Sequence, residues 1–163
     1  MSLIKIVAIL ILLSFFLCSC AGKPPLQERE GAIAVWDLDD LSPSAGGRPN
    51  LGELLAGQII EVVGKKGNYK VIERERLLLS LEELRLGTTS LVDETTRLRL
   101  GRMVGARWMV FGGYQIIGDK MRIDLRRVEV ETGKIKKAVQ GITPAGHLQG
   151  WIDTTQRLAG ELL

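Results

Sequence analysis

The hydrophobic period of this chain changes at Arg107, and that change limits the folds open to it. Before it, apolar residues recur at helical spacing; after it, they run on or alternate as in strands. Trp108 to Ile117 reads as a long apolar strand, and Gly118 with Asp119 makes a two-residue turn of the kind hairpins favour. On the return strand Met121, Ile123 and Leu125 alternate, while Val128 and Val130 continue in the opposite phase. A β-bulge near Arg126 and Arg127 is the expected device that reconciles the two phases. Thr132 and Gly133 turn the chain again into a third strand over residues 134–142. Lys134, Lys136 and Lys137 give that strand a charged face, as expected of a sheet edge.

Upstream, residues 31–38 hold a nearly continuous apolar run, Ala32 to Trp36, which predicts a strand buried on both faces. Residues 39–50, rich in Ser, Pro, Gly and Asp, predict a loop. Asn50 is the expected N-cap of a helix with Leu51, Leu54, Leu55, Ile59, Val62 and Val63 at helical spacing, ending over residues 64–68. A short strand over 69–72 precedes a helix over 73–86 that buries Leu77, Leu78, Leu81 and Leu84 and closes at Gly87. Asp93 caps a third helix, burying Leu98, Leu100 or Met103 and ended by Gly105. Leu148, Trp151, Ile152, Thr155, Leu158, Ala159 and Leu162 predict a last amphipathic helix. The order β-α-β-α-α-β-β-β-α is that of a single α/β (α+β) domain, a mixed sheet with helices packed on it. At 163 residues, the chain has the length for one such core and not two.

The first nineteen residues predict a signal peptide. Lys5 supplies its positive charge, and residues 6–17 form an apolar run of about a dozen residues. That is short of the roughly 20 residues a membrane-spanning helix needs. Leu17, Cys18, Ser19 and Cys20 resemble a lipobox, with the small Ser19 just before the cut. The resemblance implies lipidation of Cys20 by diacylglycerol and an acyl chain (palmitate among such groups), because one chain alone binds a membrane only marginally. Ala21, with no Asp at that place, resembles lipoproteins sorted to the periplasmic face of the outer membrane. Residues 20–30 then form a polar tether with two prolines, reaching at most about 35 Å, and residues 31–163 the domain. Cys18 leaves with the signal, so Cys20 is the one cysteine expected to remain. This excludes a disulfide, a thiolate metal site and a cysteine nucleophile. Without Lys5 the chain carries 21 basic and 19 acidic residues, too even a balance to argue for nucleic acid.

Candidates for chemistry are few. His147, the lone histidine, sits in a Pro-Ala-Gly loop, and a solvated role is expected of it. No triad and no metal-ligand spacing is present. Asp37, Asp39 and Asp40 end the first strand, where clustered carboxylates are able to hold a divalent cation. The blander expectation is a turn in which the Asp side chains accept backbone N–H bonds. Gly112 and Gly113 interrupt the long strand without the Lys-Ser/Thr of a phosphate loop, and predict a bulge or close packing by a helix. Arg97, Arg99, Arg102 and Arg107 predict a solvated basic helix face. No enzyme, cofactor or metal is expected.

Four stretches together carry a resemblance: AIAVWDLDDLS, YKVIERERLLLSLEELRL, LGRMVGARWMVFGGYQ and RIDLRRVEVETGKI. Within them Val71 to Arg74, Leu100 to Ala106 and Glu131 to Gly133 are weak steps singly, but their order and spacing are specific. Residues 31–142 resemble the CsgG-type domain of the curli-secretion lipoprotein and of the flagellar lipoprotein FlgO, with related folds in LpoB and in the N-terminal domain of TolB. The resemblance implies a non-enzymatic assembly or secretion-associated lipoprotein of the cell envelope, with envelope protein partners or a homo-oligomer. The curli protein adds long membrane hairpins to this domain. Only Gly118-Asp119 and residues 142–150 stand at those places here, too short for strand pairs of about 9–11 residues per crossing, so no pore is expected. The alternatives are an LpoB-like regulator of peptidoglycan synthesis, which the short tether disfavours, and a small-ligand or metal-binding periplasmic domain built on the Asp cluster.

Overall fold

The computed structural model describes residues 31–43, 48, 50–84 and 93–163. Cys20, the signal and tether segments and Gly87 lie outside the described residues. The described chain forms strand β1 (Ala32–Val35), a two-residue strand β2 (Asp39–Asp40), helix α1 (Leu51–Lys66), strand β3 (Lys70–Val71), helices α2 (Arg74–Glu83) and α3 (Glu94–Met103), strands β4 (Trp108–Ile117), β5 (Lys120–Glu129) and β6 (Ile135–Pro144), and helix α4 (Leu148–Leu162). The strands join in one mixed sheet in the order β3-β1-β4-β5-β6, with β2 also paired to β4. β1 pairs in parallel with β3 and β4, while β4, β5 and β6 form an antiparallel meander. The fold class and the element order read from the sequence are observed, with β2 as an addition inside the expected loop.

Each face of the sheet carries a buried core cluster, and this explains the two phases of β5. Met121, Ile123 and Leu125 join Ile33, Val35, Trp108 and Val110 on the face covered by α1 and α4. Val128 and Val130 join Ala34, Met109 and Phe111 on the opposite face, under α2 and α3. The pairing of β4 with β5 is unbroken from Trp108↔Glu129 to Ile117↔Lys120, so the change of phase is a change of covered face within a regular strand. A register shift does occur between Arg127 and Val128, but in the pairing with β6, where Lys136 is the extra residue. β6 is a sheet edge, as its lysines predict.

Helix ends follow the expected chemistry with one exception. Asp93 accepts the Thr96 N–H at 2.8 Å, which satisfies one of the free amides of the first turn. Asn50 stands at φ 66°, in the left-handed region rather than the extended backbone usual for an N-cap, and makes no side-chain cap. α1 runs through Gly64 to Lys66 and stops at Gly67, whose φ of 71° suits glycine. Leu54 and Met103 are largely exposed rather than core. Among the described residues, both core clusters and the apolar residues packed on them lie between Ala32 and Leu163. A chain that begins at residue 21 therefore contains the whole core of the described residues. Among the described residues no helix is long and apolar enough to cross a membrane.

Candidate interaction site

The carboxyl ends of β1 and β2 bring Asp37, Asp39 and Asp40 to one cleft of about 590 Å³, lined also by Trp36, Arg48, Glu53, Arg74, Arg97 and Tyr114. Each carboxylate is already engaged. Asp37 accepts from Arg74 Nε at 3.0 Å and Nη2 at 2.8 Å, a bidentate pair, and Arg74 also lies 3.3 Å from Glu53. Asp39 accepts from Arg97 Nη1 at 2.7 Å and Nη2 at 2.9 Å. The Arg97 side chain is 9% exposed and its guanidinium lies 5.4 Å from the centre of the Trp36 ring. Asp40 accepts the Ser42 N–H at 2.9 Å and a bond from the Tyr114 hydroxyl. Guanidinium forks and N–H donors thus occupy the lone pairs that a cation would need. Among the described residues no group of three His, Cys, Asp or Glu side chains is placed to hold a metal. The cluster ties the end of the sheet to α1, α2 and α3.

The electrostatics agree with this structural role. Burial raises the Asp40 carboxyl, but bonds from Ser42 and Tyr114 outweigh it and hold the group below its ordinary value. Burial, reinforced by the hydrogen bond to Asp40 and its charge, pushes the Tyr114 hydroxyl up to about 12. The raised tyrosine stabilises the fold fully below its unfolded value near pH ~10, and that contribution is lost as pH rises through about 12. The depressed carboxylate works in the other direction, and its contribution is lost as pH falls through the lowered value. Absorbance titration of tyrosinate is expected to show a step at about pH 12 that Tyr114→Phe removes. A single step near ~10 for both tyrosines contradicts the buried hydroxyl.

Other sequence candidates have plain structural roles. His147 is exposed, and its Nδ1 accepts the Gly150 N–H at 3.0 Å as the N-cap of α4, a role that sequence reasoning missed. Arg97, expected on a solvated face, is instead buried on Asp39, whereas Arg99, Arg102 and Arg107 are exposed. Gly112 and Gly113 cause no bulge, since β4 and β5 pair in register through them. They allow close approach: a Cβ on Gly112 would stand 2.6 Å from the Asp124 carbonyl oxygen, and one on Gly113 would stand 2.8 Å from Leu41 Cδ1. The segment carrying β2, rather than a helix, packs on the pair.

A surface that sequence reasoning missed lies on the α2/α3 side of the sheet. The pairings place Gly113, Asp124 and Gln140 on that side in one row, and Phe111, Arg126 and Ala138 in the next. Ile117 and Ile142 share the same face, as does Ile135 opposite Val128. α2 and α3 cover the half of this face nearest β1, and the other half forms a cleft of about 820 Å³ beside the β6 edge. Leu41 and Ile135 line that cleft, Ile117 and Ile142 lie further along the same face, and the four are 56–65% exposed. A cue was present in Ile135 and Ile142, apolar residues on a strand otherwise read as a charged edge.

The connections at which the curli protein carries hairpins are short. β4 and β5 are joined by two residues, Gly118 and Asp119, and β6 and α4 by residues 145–147.

Comparison with known proteins agrees with this architecture. A comparison with curated protein sequences returns no match. The C-terminal domain of LpoB from Escherichia coli superposes with a TM-score of 0.59 at 13% identity, covering 82% of this chain and 93% of that one. Lipoprotein GNA1162 from Neisseria meningitidis gives 0.55 at 12% identity, covering 81% and 98%. A PelC dodecamer from Paraburkholderia phytofirmans gives 0.53 at 12% identity, covering 84% and 86%. At such identities the likeness is one of fold. The family model described as "Curli production assembly/transport component CsgG" matches residues 18–117, more than half of the sequence, and the chain belongs to that family.

Proposed function

We propose that this chain is a lipid-anchored periplasmic lipoprotein of the outer membrane whose domain works by binding, without catalysis and without forming a pore. Its partner on the open sheet face is a second copy of itself, within an assembly that serves secretion or a surface apparatus. The observation that carries this reading is the open half of the sheet. Leu41 and Ile135 stand exposed on one cleft next to an unpaired strand edge, and Ile117 and Ile142 stand exposed further along the same face. Apolar side chains exposed on a half-covered sheet face favour a partner, and the free edge beside them adds a row of backbone donors and acceptors. The solved dodecamer of PelC, which shares the fold, supports a second copy as the occupant.

The Asp37, Asp39 and Asp40 cluster supports no catalytic reading, since its carboxylates are held by arginines and a tyrosine. Sedimentation of the protein tests the proposal. The native chain is expected to sediment as a defined oligomer, and Ile142→Asp, at a position 65% exposed and therefore neutral for folding, is expected to yield monomers. A native chain that is monomeric at every concentration excludes the self-assembly.

A further inference from the structure

The end of the domain at which the chain enters β1 is basic, and the basic residues there do not all serve helix termini. Lys65, Lys66 and Arg102 lie in the last turns of α1 and α3, where a cation offsets the negative end of the helix dipole. Lys70, Arg107, Lys134, Lys136 and Lys137 have no such role. They lie on strands, a turn and the residue before β4, and all five are exposed. The pairings bring them together: Lys70 is opposite Ala32, Arg107 precedes Trp108 beside Ile33, and β6 begins opposite Val128, next to Glu129 at the end of β5. Gly31, the first described residue, sits among them. A Cβ there would lie 3.0 Å from Arg107 Cδ. Acidic residues stand at this end too, but Glu61 is paired with Lys65 and Glu161 with Arg157. Glu129 is bonded to Thr132 and placed 3.3 Å from Lys136, while Glu131 lies near Arg102 and Arg107.

We infer that this basic end is a docking surface for anionic phospholipid headgroups, laid against the same membrane that holds the anchor. The inference rests on the proposed acylation of Cys20. The eleven residues 20–30 confine Gly31 to within about 35 Å of the bilayer. Within that range the end carrying the entry point is the one presented to the membrane. Attraction of lysine and arginine to an anionic surface falls off within a Debye length of about 8 Å. The basic end profits from it when the tether, which reaches no more than about 35 Å, folds back and brings that end to the surface. Docking fixes the orientation of the domain and turns its opposite end, with the Asp-Arg cluster, away from the lipid.

Vesicle sedimentation tests the surface with a chain from residue 21 onward, which lacks the acylated cysteine but holds all the described core residues. With vesicles of about 40% phosphatidylglycerol in phosphatidylcholine and about 50 mM salt, binding is expected to exceed that to phosphatidylcholine alone by about tenfold or more. It is expected to vanish at about 500 mM salt, where the field is screened. Lys134→Glu with Lys136→Glu and Lys137→Glu is expected to lower binding by about tenfold or more, and the milder Lys134→Gln with Lys137→Gln by several-fold. Lys120→Glu with Arg122→Glu, at the far end of the sheet, is expected to leave it unchanged. Equal binding to both vesicle types, or an equal loss in the far-end variant, overturns the inference. Incorporation of radiolabelled palmitate into the full chain, and its loss in Cys20→Ser, tests the anchor separately. Its failure removes the anchor whatever the vesicles show.

Discussion

Replacing Gly52 with alanine is expected to destabilise the domain by about 3 kcal/mol, against the usual sign for a helical glycine. In an unobstructed helix alanine gains about 1 kcal/mol over glycine, from the smaller backbone entropy lost on folding. Gly52 is obstructed. It lies in the first turn of α1, pressed on the end of β1, where its carbonyl accepts the Leu38 N–H at 3.3 Å. A Cβ at this position would run into the Leu38 carbonyl oxygen, which is backbone and is held by its neighbours in the sheet. The helix must therefore lift, and Leu51 and Leu55 with it, both of them core residues. Gly57 and Gly64 in the same helix have no heavy atom within 4 Å of the equivalent position, so alanine at either is expected to stabilise by about 0.5–1 kcal/mol. Urea denaturation midpoints of the three variants check the opposite signs. A Gly52→Ala protein as stable as the parent would show that α1 does not approach β1 this closely.

Arg97→Ala is expected to cost about 2 kcal/mol. The side chain is almost fully buried, grips both oxygens of Asp39 and lies against the Trp36 ring. Removing it leaves a carboxylate without its partner and opens space beneath Trp36. Breaking a fully buried pair costs about 3–5 kcal/mol, but the Asp39 side chain is 36% exposed, and water moderates the loss. Arg99, exposed on the same helix, provides the contrast, and its replacement by alanine is expected to change stability by less than about 0.5 kcal/mol. Arg97→Lys is expected to recover only part of the loss, because an ammonium cannot reproduce the fork. Equal effects at positions 97 and 99 contradict the buried clamp.

Most of the architecture was legible because the signals involved are local. The change from helical to extended spacing at Arg107, the Gly118-Asp119 turn and the Asp93 cap each depend on residues close in sequence. What was not legible depended on partners far along the chain. Arg97 resembles its solvated neighbours in sequence, and only its pairing with Asp39, 58 residues away, buries it. The two phases of β5 look like a defect until helices are known to lie on both faces. β2 is a two-residue strand that exists because Gly112 and Gly113 let the segment lie on β4, a contact between distant parts of the chain. The Asp cluster was found at the right place, but sequence could not show that Arg74, Arg97 and Tyr114 would satisfy it.

The claim that the domain works by binding through its open sheet face is tested most directly by photo-crosslinking in cells. A photoreactive phenylalanine is placed at position 142 on that face, and for comparison at position 79, which is 59% exposed on α2. The account predicts that Ile142 gives a ladder at multiples of the protein's own mass, while Leu79 gives none. Uncrosslinked monomer alone from position 142, or the same ladder from both positions, would contradict it.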